Sequence, residues 1–177
     1  MTTQIQQRWN FCAPATVSMM LASRGKIVDQ FTLAREMGTY EPFGTHNRDA
    51  IRILNKHMFG YEFPQTNQAG YRIETVREIN SASIELFKQR LIKNTQDGYP
   101  MYYTFNPGKI YPGIANAEHN VAGAGYIATP DNKDVALVYY VDPYYKFQDP
   151  IYGGLKVVTP EELLNAMVGV SEPDYAW

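Results

Sequence analysis

A single cysteine in 177 residues rules out an intramolecular disulfide framework and any metal centre built from several thiolates. Basic residues are also sparse: 16 lysines and arginines stand against 18 aspartates and glutamates, a formal net charge of −2, and they nowhere run together. Without a basic field the chain lacks the electrostatic footprint of a nucleic-acid binder, and no nucleic-acid partner is expected. Long apolar runs are missing as well, since none approaches the ~18 residues needed to span a bilayer. The opening MTTQIQQ has neither a basic nor an apolar targeting region. It reads as a cytosolic start or as a mature, exported domain whose targeting segment lies outside this sequence. Repeats, low-complexity tracts and linkers are absent, and the length suits one domain over residues 1–177, large enough for a core without disulfide or metal.

Aromatic residues are what the chain has in quantity. Its 14 tyrosines gather in the second half, in YPMYYTF, VYYVDPYY and the terminal DYAW, whereas helical patterns concentrate in the first. Aromatic and β-branched residues favour strands, so a helical front and a sheet-rich back are expected. In the front, a first helix runs from Cys12 to about Arg24 and stops at Gly25. Gln30 to Met37 follows with Asp29 as N-cap and Gly38 as stop. A third helix is capped by Asn47, carries Ile51, Leu54 and Met58 on one face and ends at Gly60. Tyr61 to Pro64 suggests a short extended piece, and Ser83 to Asn94 a fourth helix with Phe87 and Leu91 on its inner stripe. In the back, strands are expected over Tyr99–Phe105, Asn120–Ala128, Asp134–Asp142 and Leu155–Val158. The middle two are joined by the turn-forming TPDNK. A last helix starts at Thr159, with Pro160 in its first turn and Glu162 placed for a capping box. The fold class is α+β, helices packed on an antiparallel sheet.

The stretch QQRWNFCAPATVSMMLASRG, Gln6 to Gly25, places the lone cysteine at a helix start. Pro14 dates that start, because proline is tolerated only in the first helical turn. First-turn N–H groups lack intrahelical partners and carry the positive end of the macrodipole, which favours a thiolate. A buried, inert cysteine is the commoner fate of such a residue. The hairpin argues for more. If its turn centres near Asp131, strand positions summing to about 261–263 face each other, so His119 stands opposite or diagonal to Asp142. A carboxylate there would fix the tautomer of the imidazole, as a general base requires. Either residue alone could merely end a strand or begin a turn. With Cys12 they complete the set for nucleophilic acyl chemistry.

The residues Gln6 to Cys12, the continuation CAPATVSMML, the TLAREMGT segment, HNVAGAGY from His119 and VDPY from Val141 together resemble the papain-fold cysteine peptidases, and within them the bacterial C39-like branch related to bacteriocin-processing peptidases. The resemblance runs in order across most of the chain. It implies a papain-like fold, with the nucleophile at a helix N-terminus and the helical part packed on a C-terminal antiparallel sheet. It implies a hydrolase acting on peptide or protein substrates without a cofactor, with Cys12 as nucleophile, His119 as general base and acid and Asp142 as orienting carboxylate. Gln6 would join the Cys12 N–H in an oxyanion hole, with Gln4 and Gln7 as neighbouring candidates. Ala13 departs from the family, which usually has glycine there, and no Walker-type ATPase motif accompanies the domain. The same catalytic set serves acyltransferases, transglutaminases and deamidases of effector or toxin type, and a non-catalytic binding module is the third reading.

Other residues admit two readings each. Trp9 and Phe11 pack the N-terminal segment onto the domain, or Trp9 walls a substrate pocket. Asn120 positions substrate or satisfies backbone groups. Tyr102, Tyr103, Tyr139, Tyr140, Tyr144 and Tyr145 are expected to form an amphipathic strand surface rather than a ligand cage, with a few lining the cleft. His46 and His57 lack the companions of a metal site and are read as structural, so no metal is assigned.

Overall fold

The computed structural model describes residues 1–177. Its centre is one six-stranded antiparallel sheet in the order β1-β6-β2-β3-β4-β5. The strands are β1 (Ile73–Thr75), β2 (Met101–Phe105), β3 (His119–Ala128), β4 (Val135–Val141), β5 (Leu155–Val158) and β6 (Asp174–Ala176). Helices α1 (Cys12–Ala22), α2 (Gln30–Met37) and α3 (Asn47–Phe59) cover one face. Helices α4 (Ser81–Asp97) and α5 (Pro160–Met167) cover the other.

Strand β2 shows why both faces are dry. Its alternate residues Met101, Tyr103 and Phe105 join the core beneath α4 and α5, whereas Tyr102 joins that beneath α1 to α3. All five of its residues are buried, as strands covered on two sides require. Tyr102, Tyr103 and Tyr140 are therefore core residues with 0–1 % exposure, and the amphipathic tyrosine surface expected from the sequence is not formed there. Helix α1 is buried all round for the same reason, with every residue from Ala13 to Leu21 covered by the sheet and its helical neighbours and its two hydroxyls, Thr16 and Ser18, bonded to backbone carbonyls.

Local signals place most helix ends. Asp29 accepts the Thr32 N–H, and Gly38, Gly60 and Gly98 close α2, α3 and α4 in the left-handed conformation that glycine adopts without penalty. Helix α4 is longer than its apolar stripe suggests, because Asn80 and Ser83 form a reciprocal capping box ahead of it. At α5 only half of the expected box forms: Thr159 accepts the Glu162 N–H, with no return bond. Asn47 does not cap α3. His46 holds the cap position without a side-chain bond to the helix, and Glu172, far along the chain, accepts the Asn47 N–H at 2.8 Å. Residues 61–64 form no strand. The extended edge is instead β1, and β6 slots between β1 and β2.

The β3–β4 hairpin positions the site. Ala122 pairs with Val141 and Gly123 with Tyr140, and a register shift follows between Gly123 and Gly125. Extending the first pairs outward sets His119 across from position 144, so Asp142 lies on the diagonal, within reach of a long side chain. In the turn, Asn132 takes a positive φ of 62° and Asp131 accepts from Thr129 and Lys133.

Candidate active site

Cys12 is the first residue of α1 and is partly exposed, although the helix behind it is buried. The N-cap residue Phe11 contributes no side-chain bond, and the N–H groups of Cys12 and Ala13 meet no acceptor within the protein. Pro14 has no N–H to give. The positive end of the helix is thus left free beside the sulfur. Ala13 is itself a core residue, 1 % exposed.

His119 opens β3 and is buried, boxed edge-on by Phe105, Tyr144 and Phe147 with centroids 6.1–6.3 Å away. Its Nε2 lies 2.7 Å from Asp142 Oδ1, which leaves Nδ1 for Cys12. Burial alone would push the imidazole pKa down. The Asp142 charge and hydrogen bond, followed by Cys12, outweigh it and raise His119 to about 10. Burial likewise pushes the Cys12 thiol up, but the hydrogen bond and charge of His119, with the backbone and side chain of Asn120, bring it below its ordinary value. The two shifts favour a thiolate beside an imidazolium.

Asp142 is fully buried and saturated with donors. Its Oδ1 also accepts the Tyr144 N–H at 2.8 Å, and Oδ2 accepts the Tyr111 hydroxyl at 2.7 Å. Tyr111 shares a 2.8 Å bond with Tyr140 and stacks on Phe147 at 4.0 Å. The Asp142 backbone is held as firmly: its N–H donates to Gly154 and its carbonyl accepts from Gln148 Nε2. A Cβ at Gly154 would collide with that carbonyl oxygen, so the close approach admits only glycine. Tyr111, Tyr140, Gln148 and Gly154 were not singled out from the sequence for this site. Nothing local to them marks the role, because each acts on a residue 6 to 31 positions away.

The N-terminal segment is laced to this corner. Gln6 donates its N–H to the Pro143 carbonyl at 2.9 Å, and buried Gln30 binds Gln4, Ile5 and Gln7. Gln6 lines the cleft with Cys12 and His119, whereas Gln4 and Gln7 do not. Its Nε2 donates to the carbonyls of Trp9 (2.9 Å) and Arg8 (3.1 Å), and its Oε1 is buried without a partner. The cleft has a volume of about 680 Å³, and its walls include Trp9, Phe43, Tyr144, Lys146 and Phe147. Trp9 is 61 % exposed there, so it walls the cleft and does not pack the segment down. Phe11 does that, buried against Phe31 at 5.1 Å. Asn120 turns its Nδ2 to Cys12 Sγ at 3.3 Å. His46 and His57 lie outside the cleft and pair with Glu172 and Glu36.

Residues 1–161 match the model of the Peptidase_C39 like family. Among solved structures, a protein from Bacillus anthracis described as a C39-like peptidase superposes with a TM-score of 0.62 at 16% identity, covering 99% of this chain and 92% of that one. The peptidase domain of Streptococcus ComA, a bi-functional ABC transporter involved in a quorum-sensing pathway, gives 0.57 at 11% identity over 98% and 94%. The proform of the ragweed pollen cysteine protease Amb a 11 gives 0.55 at 13% identity over 100% of this chain and 61% of that one. At these identities the structures show a shared papain-like fold. No curated protein matches the sequence.

Proposed function

The chain belongs to the Peptidase C39 like family, and from that premise we propose that it is a cysteine peptidase in which Cys12, His119 and Asp142 cleave a peptide or protein substrate. One observation carries the reading: His119 gives Nε2 to a buried carboxylate at 2.7 Å while standing beside a thiol whose pKa is lowered. In the reaction the Cys12 thiolate attacks the scissile carbonyl carbon, and its electron pair becomes the C–S bond as the carbonyl oxygen takes the negative charge. Collapse of that intermediate expels the amine, which takes the proton from His119 Nδ1 and leaves a thioester on Cys12. Water then attacks the thioester, His119 accepts its proton, and the thiolate leaves as the carboxylic acid is released.

The free N–H of Cys12 at the helix start is the first oxyanion donor. Gln6 supplies the second by giving up the longer of its two bonds, 3.1 Å to the Arg8 carbonyl. One such donor is typically worth ~3 kcal/mol of transition-state stabilisation. Trp9 contacts the substrate as a wall of the cleft. Asp142 orients the ring. No step calls for a cofactor, and the 177 residues are proposed to act as one domain.

The test is the pH dependence of Cys12 alkylation in the intact protein and in His119→Ala, together with cleavage of a peptide library. Reaction well below the ordinary thiol range, lost on removing His119, supports the peptidase. A Cys12 that reacts only in the unfolded chain defeats it. Repeating the library with an added amine separates hydrolysis from acyl transfer.

A further inference from the structure

The residue after the proposed base occupies an unusual place. Strand alternation sends Asn120 to the sheet face opposite the His119 side chain, the face on which α1 lies. Its partners there are fully accounted for. Nδ2 points at Cys12 Sγ, 3.3 Å away; Oδ1 accepts the Thr104 hydroxyl at 2.7 Å from the neighbouring strand; and the backbone carbonyl accepts Thr16 Oγ1 at 3.2 Å from the second turn of α1. Asn120 and Thr104 are directly paired across β2 and β3, and both are buried, as is Thr16. The amide is held from behind by a buried hydroxyl and the strand beneath it is pinned to the nucleophile's own helix. An acceptor turned to the sulfur would repel a thiolate, whereas an N–H donor stabilises it.

We propose that Asn120 is a further catalytic residue, an N–H donor fixed on the Cys12 sulfur by Thr104, which holds the thiolate in place and stabilises its charge independently of His119. This rests on the reading of Cys12 as the nucleophile. Two groups then act on the sulfur from different elements: His119 from the mouth of β3, where it also moves protons, and Asn120 from within the sheet, where it moves none. Thr104 and Thr16 are positioning residues, since they reach Cys12 only through Asn120.

The experiment is the rate of Cys12 alkylation by iodoacetamide from acid to alkaline pH, in the wild-type chain and in Asn120→Leu, Asn120→Asp and Thr104→Val, with folding followed by circular dichroism. Loss of a hydrogen bond to a charged group shifts the midpoint upward by about one pH unit in Asn120→Leu. Asn120→Asp keeps size and the Thr104 bond but turns donor into acceptor, and shifts it further. Thr104→Val leaves Asn120 in place with its amide free to turn, and shifts the midpoint in the same direction by less. At the alkaline plateau Asn120→Leu reacts no more slowly than wild type, because a thiolate of higher pKa is the better nucleophile. A structural defect would lower both limbs. An Asn120→Leu profile that superimposes on wild type, or an Asn120→Asp midpoint at or below it, overturns the inference. Should the Leu and Asp variants fail to fold, an unshifted Thr104→Val does the same. A wild-type midpoint near an ordinary thiol's, about 8.5, is a different result: it removes the peptidase reading and this inference with it.

Discussion

The chain has three histidines, and each meets a carboxylate at almost the same distance. His119 reaches Asp142 at 2.7 Å, His46 reaches Glu172 at 2.8 Å and His57 reaches Glu36 at 2.9 Å. Distance therefore does not distinguish the candidate site. Surroundings do: the side chains of the first pair are 9 % and 0 % exposed, those of the His46 pair 48 % and 24 %. In water a pair of this kind is screened and contributes at most about 1 kcal/mol. Under cover the same geometry shifts the imidazole to about 10, because the lower dielectric strengthens the attraction and the carboxylate has no water to turn to. The buried pair also has what the others lack, a thiol beside it and a cleft in front of it.

The sharpest way to break this comparison is to remove the imidazoles in turn. Peptide cleavage should fall about 10³-fold or more in His119→Ala and stay within about twofold of wild type in His57→Ala, which touches no part of the cleft; His46→Ala, which takes a stacked ring from the cleft residue Phe43, should lose less than about tenfold. Equal losses in kcat/KM among the three would show that burial does not mark the active pair.

The pH profile follows from the same contrast, with signs that can be worked out. In the proposed reaction the reactive state is the thiolate beside the imidazolium. On the acid side activity falls as Cys12 is protonated, at a pH below the ordinary thiol range; on the alkaline side it falls as His119 loses its proton at about 10. His119 is raised on folding, so its contribution to stability is fully present below the unfolded value of 6.5 and is lost as pH rises through about 10. Cys12 contributes with the opposite sign in wild type, so the His119 part is read without the thiol: thermal melts of Cys12→Ala should show stability declining on the alkaline side more than in the Cys12→Ala, His119→Ala double variant.

Removing a donor from the buried carboxylate comes next in size. Tyr111→Phe strips the hydroxyl from Asp142 Oδ2 and should cost about 2 kcal/mol of stability, the scale of a hydrogen bond to a charged group, read as a lowered denaturation midpoint. At the exposed pair the changes are smaller and unequal. His46→Ala should cost less than about 0.5 kcal/mol, whereas Glu172→Ala also uncaps the α3 N-terminus and should cost about 1 kcal/mol. If His46→Ala proves the more damaging, Glu172 is not acting as the cap.

Much of this site could be read from the residues in order. Pro14 after Cys12, Asp29 and the glycines after α2, α3 and α4 act within one helical turn of themselves, so their meaning survives without a tertiary structure. The TPDNK turn gives a two-stranded register to within a residue or two, enough to send His119 toward Asp142 across 23 positions. The family resemblance added Gln6, which its spacing from Cys12 favours over Gln4 and Gln7, and of the three only Gln6 lines the cleft. The cap of α3 from Glu172, the insertion of β6 beside β2, the burial of Tyr102, Tyr103 and Tyr140, and the Tyr111 hydroxyl on Asp142 have no such local signature. Three-residue strands such as β1 and β6 carry too few residues to show a period, and tyrosine looks the same in sequence whether its strand has one dry face or two. What the sequence determined by itself was which residues are the candidate reactive groups and the local turns that aim them. Only the packed structure decided their environment, because Gly154 must let the chain close over Asp142, and helices must cover both faces of the sheet, before a histidine–carboxylate pair differs from the exposed His46 pair and the half-buried His57 pair.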